Sequence, residues 1–390
     1  MKLSYFGVAL TMAALAVPAS AQKQTYKGGA DDFGPYTVVP GWLKPIKEGF
    51  LQKGVSVWAE TPDHIFVTTS VEFADPAATR EAAAAAAAAG RPAPAVPAPR
   101  NRALVSVVDR NGNPKEVWTQ WESLMAMPHY VTISPFDPEK NVWVLSRQTD
   151  QLFKFTHDGK RLLMTLGQDR RTMPPCPVPQ GTARCGGGRL IQQDAGHFGQ
   201  PTAVAFLPDG TFFISDGYDN RRVAKYDKDG KFLLDWGCVG RAPGCFAAQG
   251  EVHSVAIDAQ RRVYVADRGN DRIQIFDENG NFLDEWDNIT RVSDVKITTD
   301  NKVWAVSGVG NRIAQYDMNG KLLTYFGTYG TGSGQWDDPH YISTDTEGNL
   351  YVAIFSNLKV GVEKYAPDPK ADKSRLVGQF VVPGSAANVR

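Results

Sequence analysis

Three of the six histidines in this 390-residue chain recur at one place in a repeated pattern. Short alternating segments begin at Val55, His129, Thr202, His253, Ser293 and His340 (VSVWAE, HYVTIS, TAVAFL, HSVAID, SDVKIT, HYISTD), and histidine fills the second, fourth and sixth. If these segments are equivalent strands around an axis, alternate ones are related by about 120° and their first side chains converge. Three imidazoles meeting at one point, with one side open, suit a metal ion that must also hold water or substrate. The spacing therefore predicts a metal site of His129, His253 and His340, with ring nitrogens within about 4 Å of one another. Zinc is the first choice because imidazole suits it; iron, copper and nickel also accept this donor. A single histidine here would be an ordinary channel residue, but strict alternation is not explained by composition. His64 and His157 fall beside turns and read as solvated. His197 lies just ahead of the third segment and reads as a surface residue, with a supporting role behind the ligands as the alternative.

The elements that must position these residues are also repeated. Residues 212–236 read FFISDGYDNRRVAKYDKDGKFLLDW, residues 263–286 read VYVADRGNDRIQIFDENGNFLDEW, and residues 142–166 and 303–326 follow the same plan. Each holds an apolar alternating strand, a polar turn, a second strand, an x-Gly hairpin and a third strand. A fifth copy, Leu350 to Tyr365, lacks a clear last strand. A sixth is split between His64–Thr69 and Leu104–Trp118. With the histidine-bearing segment ahead of each, this makes six four-stranded units, none able to bury both faces alone. The expected fold is all-β: a six-bladed β-propeller around a central channel, one domain over residues 22–390. One blade should be completed by strands from both termini, since the sixth unit is short of its fourth strand. An Ala/Pro-rich insertion at 72–102, helix-capable over Ala82–Ala89 and then proline-rich, is either a lid or a solvent loop.

In a propeller the first strand of a blade starts on the face where its second strand ends. Arg147, Asp216-Gly217-Tyr218 and Asp267-Arg268 therefore share the face of the three histidines, as do the long loops around the cysteines. Cys176–Cys185 and Cys238–Cys245 read as two local disulfides; a structural zinc held by all four is the weaker alternative. Forty-two basic residues balance 42 acidic ones, which excludes a strongly basic nucleic-acid binder and an acidic tail. Lys2, the apolar run Phe6–Val17 and Ala19-Ser20-Ala21 read as a signal peptide over 1–21. No later segment is apolar enough to span a bilayer, so the expectation is a monomer exported to the periplasm or outside the cell, without membrane partners.

Between blades, stretches such as GTYGTGSGQWDDPH resemble NHL repeats, a propeller family. The run HFGQPTAVAF…ISDGYDNRRV…GKFLLDWG…VHSVAID…VADRGNDRIQIF resembles the catalytic core of peptidyl-α-hydroxyglycine α-amidating lyases. That resemblance implies a six-bladed propeller whose catalytic zinc is held by three histidines, matching His129, His253 and His340. It implies a catalytic tyrosine at Tyr218, in SDGY, and a catalytic arginine at Arg268, in ADR. The implied reaction cleaves a carbinolamide C–N bond to an amide and glyoxylate, on a small-molecule or peptide substrate bearing a carboxylate. The family's second active-site arginine, in its first blade, has no counterpart in WAETPDHIF; Arg147 is placed to supply that charge. The family's structural calcium uses an Asp directly after the third histidine; Tyr341 stands there, which speaks against calcium, and the family's cysteines are replaced by Gly199, Asp219, Tyr264 and Ile275. Two other readings stay open: a zinc-dependent hydrolase of lactonase or esterase type, and a non-catalytic propeller that binds peptide or glycan.

Overall fold

A computed structural model of the chain describes residues 33–173, 185–186, 189–190, 194–248, 251–287, 289–356 and 360–380. Six four-stranded antiparallel sheets form the blades of a β-propeller. The inner strands begin the blades in chain order: Phe50–Thr61, Pro128–Ile133, Pro201–Phe206, Val252–Ile257, Val292–Thr298 and Pro339–Thr344. Each packs against the inner strand of the next blade, and the sixth packs against the first, closing the ring.

Burial explains the strand patterns. The second strands of blades two, three and four, such as Phe212–Asp216, are buried at every position because neighbouring blades cover both faces. The outer strands of blades two and three alternate half-buried with exposed. Aromatic side chains fill the wedges between blades. Trp143 of blade two meets Phe206 and Phe212 of blade three, and Trp236 of blade three meets Phe276 of blade four at 5.5 Å.

The x-Gly hairpins also join blade to blade. In Asp277-Glu278-Asn279-Gly280, the Asp277 carboxylate accepts from the backbone N–H groups of Asn279 and Asn281, and Gly280 takes φ +83°. A Cβ on Gly280 would stand 2.7 Å from the Trp236 ring of the preceding blade, and one on Gly320 would stand 2.6 Å from Trp286. The glycines thus serve both the turn and the seam. Gly280→Val is expected to destabilise the fold by about 2–3 kcal/mol through strained φ and overpacking. A melting temperature equal to that of the parent protein would contradict this.

Ring closure draws on strands from both ends of the chain, as expected. Tyr36–Val39 adds the outer strand to the sixth blade, antiparallel to Val360–Pro367. The blade completed from both ends of the chain is therefore the sixth, the copy Leu350 to Tyr365 that lacks a clear last strand in the sequence, while the split blade makes its own outer strand from Pro114–Val117. That four-residue strand has little alternation to betray it. Blade one also carries longer inner strands, Phe50–Thr61 and His64–Ala74, which run about five residues, or roughly 16 Å, past Val55 on the histidine face. The insertion continues this ribbon as a helix, Pro76–Ala88, started by the Asp75 cap and buried only at Ala86. Where the chain returns, Glu72 receives Arg100 and Arg102.

Cys238 and Cys245 form a disulfide in the loop between blades three and four. The bond expected of Cys176 with Cys185 and the export segment fall outside the described residues. Among the described residues, no helix is long and apolar enough to cross a membrane.

Candidate metal centre

His129, His253 and His340 open the inner strands of blades two, four and six, and all three are buried. One ring nitrogen from each lies within 4.8 Å of the others, a slightly wider cluster than expected, and the Nε2 atoms of His253 and His340 are 3.1 Å apart. The other ring nitrogens point outward to the carbonyls of the intervening blades. Nδ1 of His129 lies 3.2 Å from the Thr202 oxygen, that of His253 2.6 Å from Ser293, and that of His340 2.7 Å from Val55. All six equivalent strand positions therefore take part, three giving imidazoles and three giving backbone oxygens. Because a carbonyl only accepts, this pattern assigns the proton to Nδ1 and leaves the Nε2 lone pairs facing inward.

Those inward lone pairs test whether a metal fits. Two acceptor nitrogens 3.1 Å apart repel unless a donor stands between them, and one hydroxyl, that of Tyr218, is shared by His129 Nε2 (3.3 Å) and His253 Nε2 (3.2 Å). A cation resolves the convergence, so the residues fit a divalent metal held by three imidazoles. Burial pushes the imidazoles well below their ordinary value, His340 to about 3, and the nearby guanidiniums add to this. The rings are therefore neutral at physiological pH, the form in which an imidazole can ligate a metal.

Tyr218 sits where blade three's second strand turns. Asp216 fixes the turn by accepting from Gly199 N, Asn220 Nδ2 and Arg222 Nε at 2.7–2.8 Å. Gly217 is required because a Cβ there would stand 2.0 Å from the Val252 carbonyl oxygen. This close approach lays Tyr218 against His253, one residue along. The Arg147 guanidinium covers the Tyr218 ring at 3.5 Å, and its Nε donates to Gln200 Oε1 at 2.7 Å. Burial raises the Tyr218 hydroxyl above its ordinary value, while Arg147 and Arg268 draw it down. The depression expected for a base is thus not reached by the chain's own charges.

Arg268, 6% exposed, follows blade four's second strand. It does not pair with Asp216 or Asp267; those carboxylates are taken by Arg222 and Arg272 at 2.8 Å each. Its guanidinium stands instead 3.5 Å from Glu251 and 3.8 Å from Asp338, and its Nε makes no directed hydrogen bond. A buried cation held, among the described residues, by long contacts alone retains capacity for a further anion.

In the sequence Tyr341 marks only the place of a missing carboxylate. It is fully buried, its ring stacks on His253 at 5.4 Å, and its hydroxyl donates to the Thr202 oxygen at 2.8 Å. The phenol floors the site from below. Its place directly after a channel-lining histidine was the available signal. His197 lies apart, bonded to Asp194 and Gln168. His64 and His157 are not simply solvated: both contact Glu60 on the opposite face.

The NHL repeat pattern matches residues 250–276. Over 288 residues, 67% of this chain, the sequence is 27% identical to peptidyl-alpha-hydroxyglycine alpha-amidating lyase 1 of Drosophila melanogaster. The chain is a six-bladed propeller that carries an NHL repeat and resembles the amidating lyases. It is also 29% identical over 269 residues, 65% of this chain, to peptidyl-glycine alpha-amidating monooxygenase A of Xenopus laevis. The match spans 48% of the fly protein and 26% of the frog protein, so this amidating-lyase-like propeller corresponds to less than half of either. A streptogramin B lyase structure superposes with a TM-score of 0.50 at 13% identity, covering 85% of this chain and 98% of that one, which is a likeness of fold.

Proposed function

We propose that this propeller is a metal-dependent lyase that cleaves the C–N bond of an α-hydroxyglycine-type substrate to an amide and glyoxylate. The observation that carries the reading is the Tyr218 hydroxyl within 3.3 Å of two of the three converging imidazoles, beneath Arg147. Zinc is the metal that best suits His129, His253 and His340; bound there, it supplies Lewis-acid charge to a substrate oxygen and adds to the two guanidiniums' pull on the Tyr218 proton. The substrate carries a hydroxyl and an amide nitrogen on one carbon. Tyr218, as phenolate, accepts the hydroxyl proton; the oxygen's electron pair forms the new carbonyl, and the C–N bond breaks towards nitrogen. The departing nitrogen then takes back the same proton from Tyr218, so atoms and charge balance without water. Arg268 binds the carboxylate that becomes part of glyoxylate, and Arg147 supports it while holding the Tyr218 ring. The substrate is a small molecule or peptide with a free carboxylate, and the protein acts after export as a monomer.

The test is direct. Zinc-loaded protein is incubated with α-hydroxyhippurate, and benzamide and glyoxylate are quantified. Both products should appear in equal amounts, and chelation should stop them. Full metal loading without glyoxylate would reject the lyase reading, and turnover of a lactone or ester would then favour the hydrolase.

A further inference from the structure

A second cluster of metal-type donors lies on the opposite face, built by two blades. Glu60 ends the inner strand of blade one, and His64 opens the next strand across a tight turn. His157 belongs to the hairpin after Gln151–Phe155 of blade two. Glu60 Oε2 stands 3.0 Å from His64 Nδ1 and 2.9 Å from His157 Nε2, and one donor atom from each of the three lies within 4.8 Å of the others. The two imidazoles stack, 4.9 Å apart and 18° from parallel, and each makes a T-shaped contact with Phe66. Packing therefore orients both rings towards one carboxylate oxygen. His64 Nδ1 is near enough to that oxygen for an ion pair, and among the described residues it makes no well-aligned hydrogen bond. The other carboxylate oxygen, Oε1, is held by Lys140 at 2.7 Å. Glu60 itself is drawn below the usual carboxylate range, first by His64 and then by Lys140 and His157, against the effect of its burial.

We infer that Glu60, His64 and His157 form a second site for a divalent transition-metal ion such as zinc or nickel. Two imidazole nitrogens and one carboxylate oxygen are the donors such ions prefer over magnesium or calcium. Three protein ligands leave further positions for water. Entry of the ion replaces the two nitrogen–carboxylate contacts by bonds to the metal, with neutral imidazoles turning their lone pairs inward. Lys140 is 60% exposed, so its ammonium can move into solvent as the second positive charge arrives. The site joins blade one to blade two at the end of the channel away from His129, His253 and His340. Glu60 and Lys140 also line a cavity of about 350 Å³ that opens at this end.

Zinc content is measured by elemental analysis after equilibrium dialysis of the full-length chain at a fixed micromolar free zinc concentration. Wild type is compared with His157→Ala, His253→Ala and the double variant. The expected result is two ions per chain in wild type, one in each single variant and none in the double variant. His157 is 36% exposed, so its removal spares the fold, and matching circular dichroism spectra verify this. Glu60→Gln should lose the same ion as His157→Ala. Equal zinc in wild type and His157→Ala overturns the second site whatever His253→Ala does, because the two comparisons are independent.

Discussion

His253→Ala is expected to remove the metal from the three-imidazole centre and to lower turnover by at least about 10³-fold. The imidazole is fixed on every side: Nδ1 donates to Ser293 O, the ring stacks on Tyr341, and Nε2 faces His340 Nε2 and Tyr218. Two remaining imidazoles hold a divalent ion far more weakly than three, and alanine leaves the Ser293 carbonyl without its donor. That orphaned carbonyl adds a stability cost of about 1–3 kcal/mol. Elemental analysis and glyoxylate release, measured on the same preparation, check both effects. A His253→Ala protein that keeps this ion and turns over normally would remove the histidine cluster from the chemistry.

Tyr218→Phe separates metal binding from proton transfer. The phenylalanine ring keeps the stacking surface for Arg147, and Gly217 and the Asp216 contacts are untouched, so the turn persists. Only the hydroxyl between the two ligand nitrogens is lost. Turnover should fall by about 10²-fold or more, the usual cost of losing a general base. Metal content should stay at the wild-type value, and KM should change little, because the guanidinium of Arg268 proposed to bind the carboxylate is untouched. Full kcat in the variant would exclude Tyr218 as the base. A large rise in KM with normal kcat would recast it as a binding residue.

Much of this arrangement is readable in the chain because a propeller repeats its solutions. The Asp…Asn…Arg order of SDGYDNRR and ADRGNDR recurs, with the loop one residue shorter in the second, since both turns are tied by the strand-end carboxylate: Asp216 to Arg222, and Asp267 to Arg272. The histidine register was visible for the same reason. What stayed hidden depends on backbone atoms or on contacts between blades. Val55, Thr202 and Ser293 hold the imidazoles through carbonyl oxygens, which any residue supplies. Glu60, His64 and His157 meet only because a hairpin of blade two lies beside a turn of blade one. The partner of Tyr36–Val39 was equally obscure, since four residues carry too little pattern to identify a mate.

That closing strand sets an order of events. Tyr36 and Pro367 are paired although about 330 residues separate them. Bringing such distant points together costs about 3–4 kcal/mol more than closing a five-residue hairpin, on chain-statistics grounds. The amino-terminal strand leaves the ribosome first yet has no mate until the last blade exists. Until then the nascent protein presents two unpaired sheet edges, the surfaces most prone to stick to other chains. Maturation of this ring is therefore governed by its final clasp. A destabilised sixth blade would show itself first as slow or aggregation-prone refolding, before any change at the imidazoles.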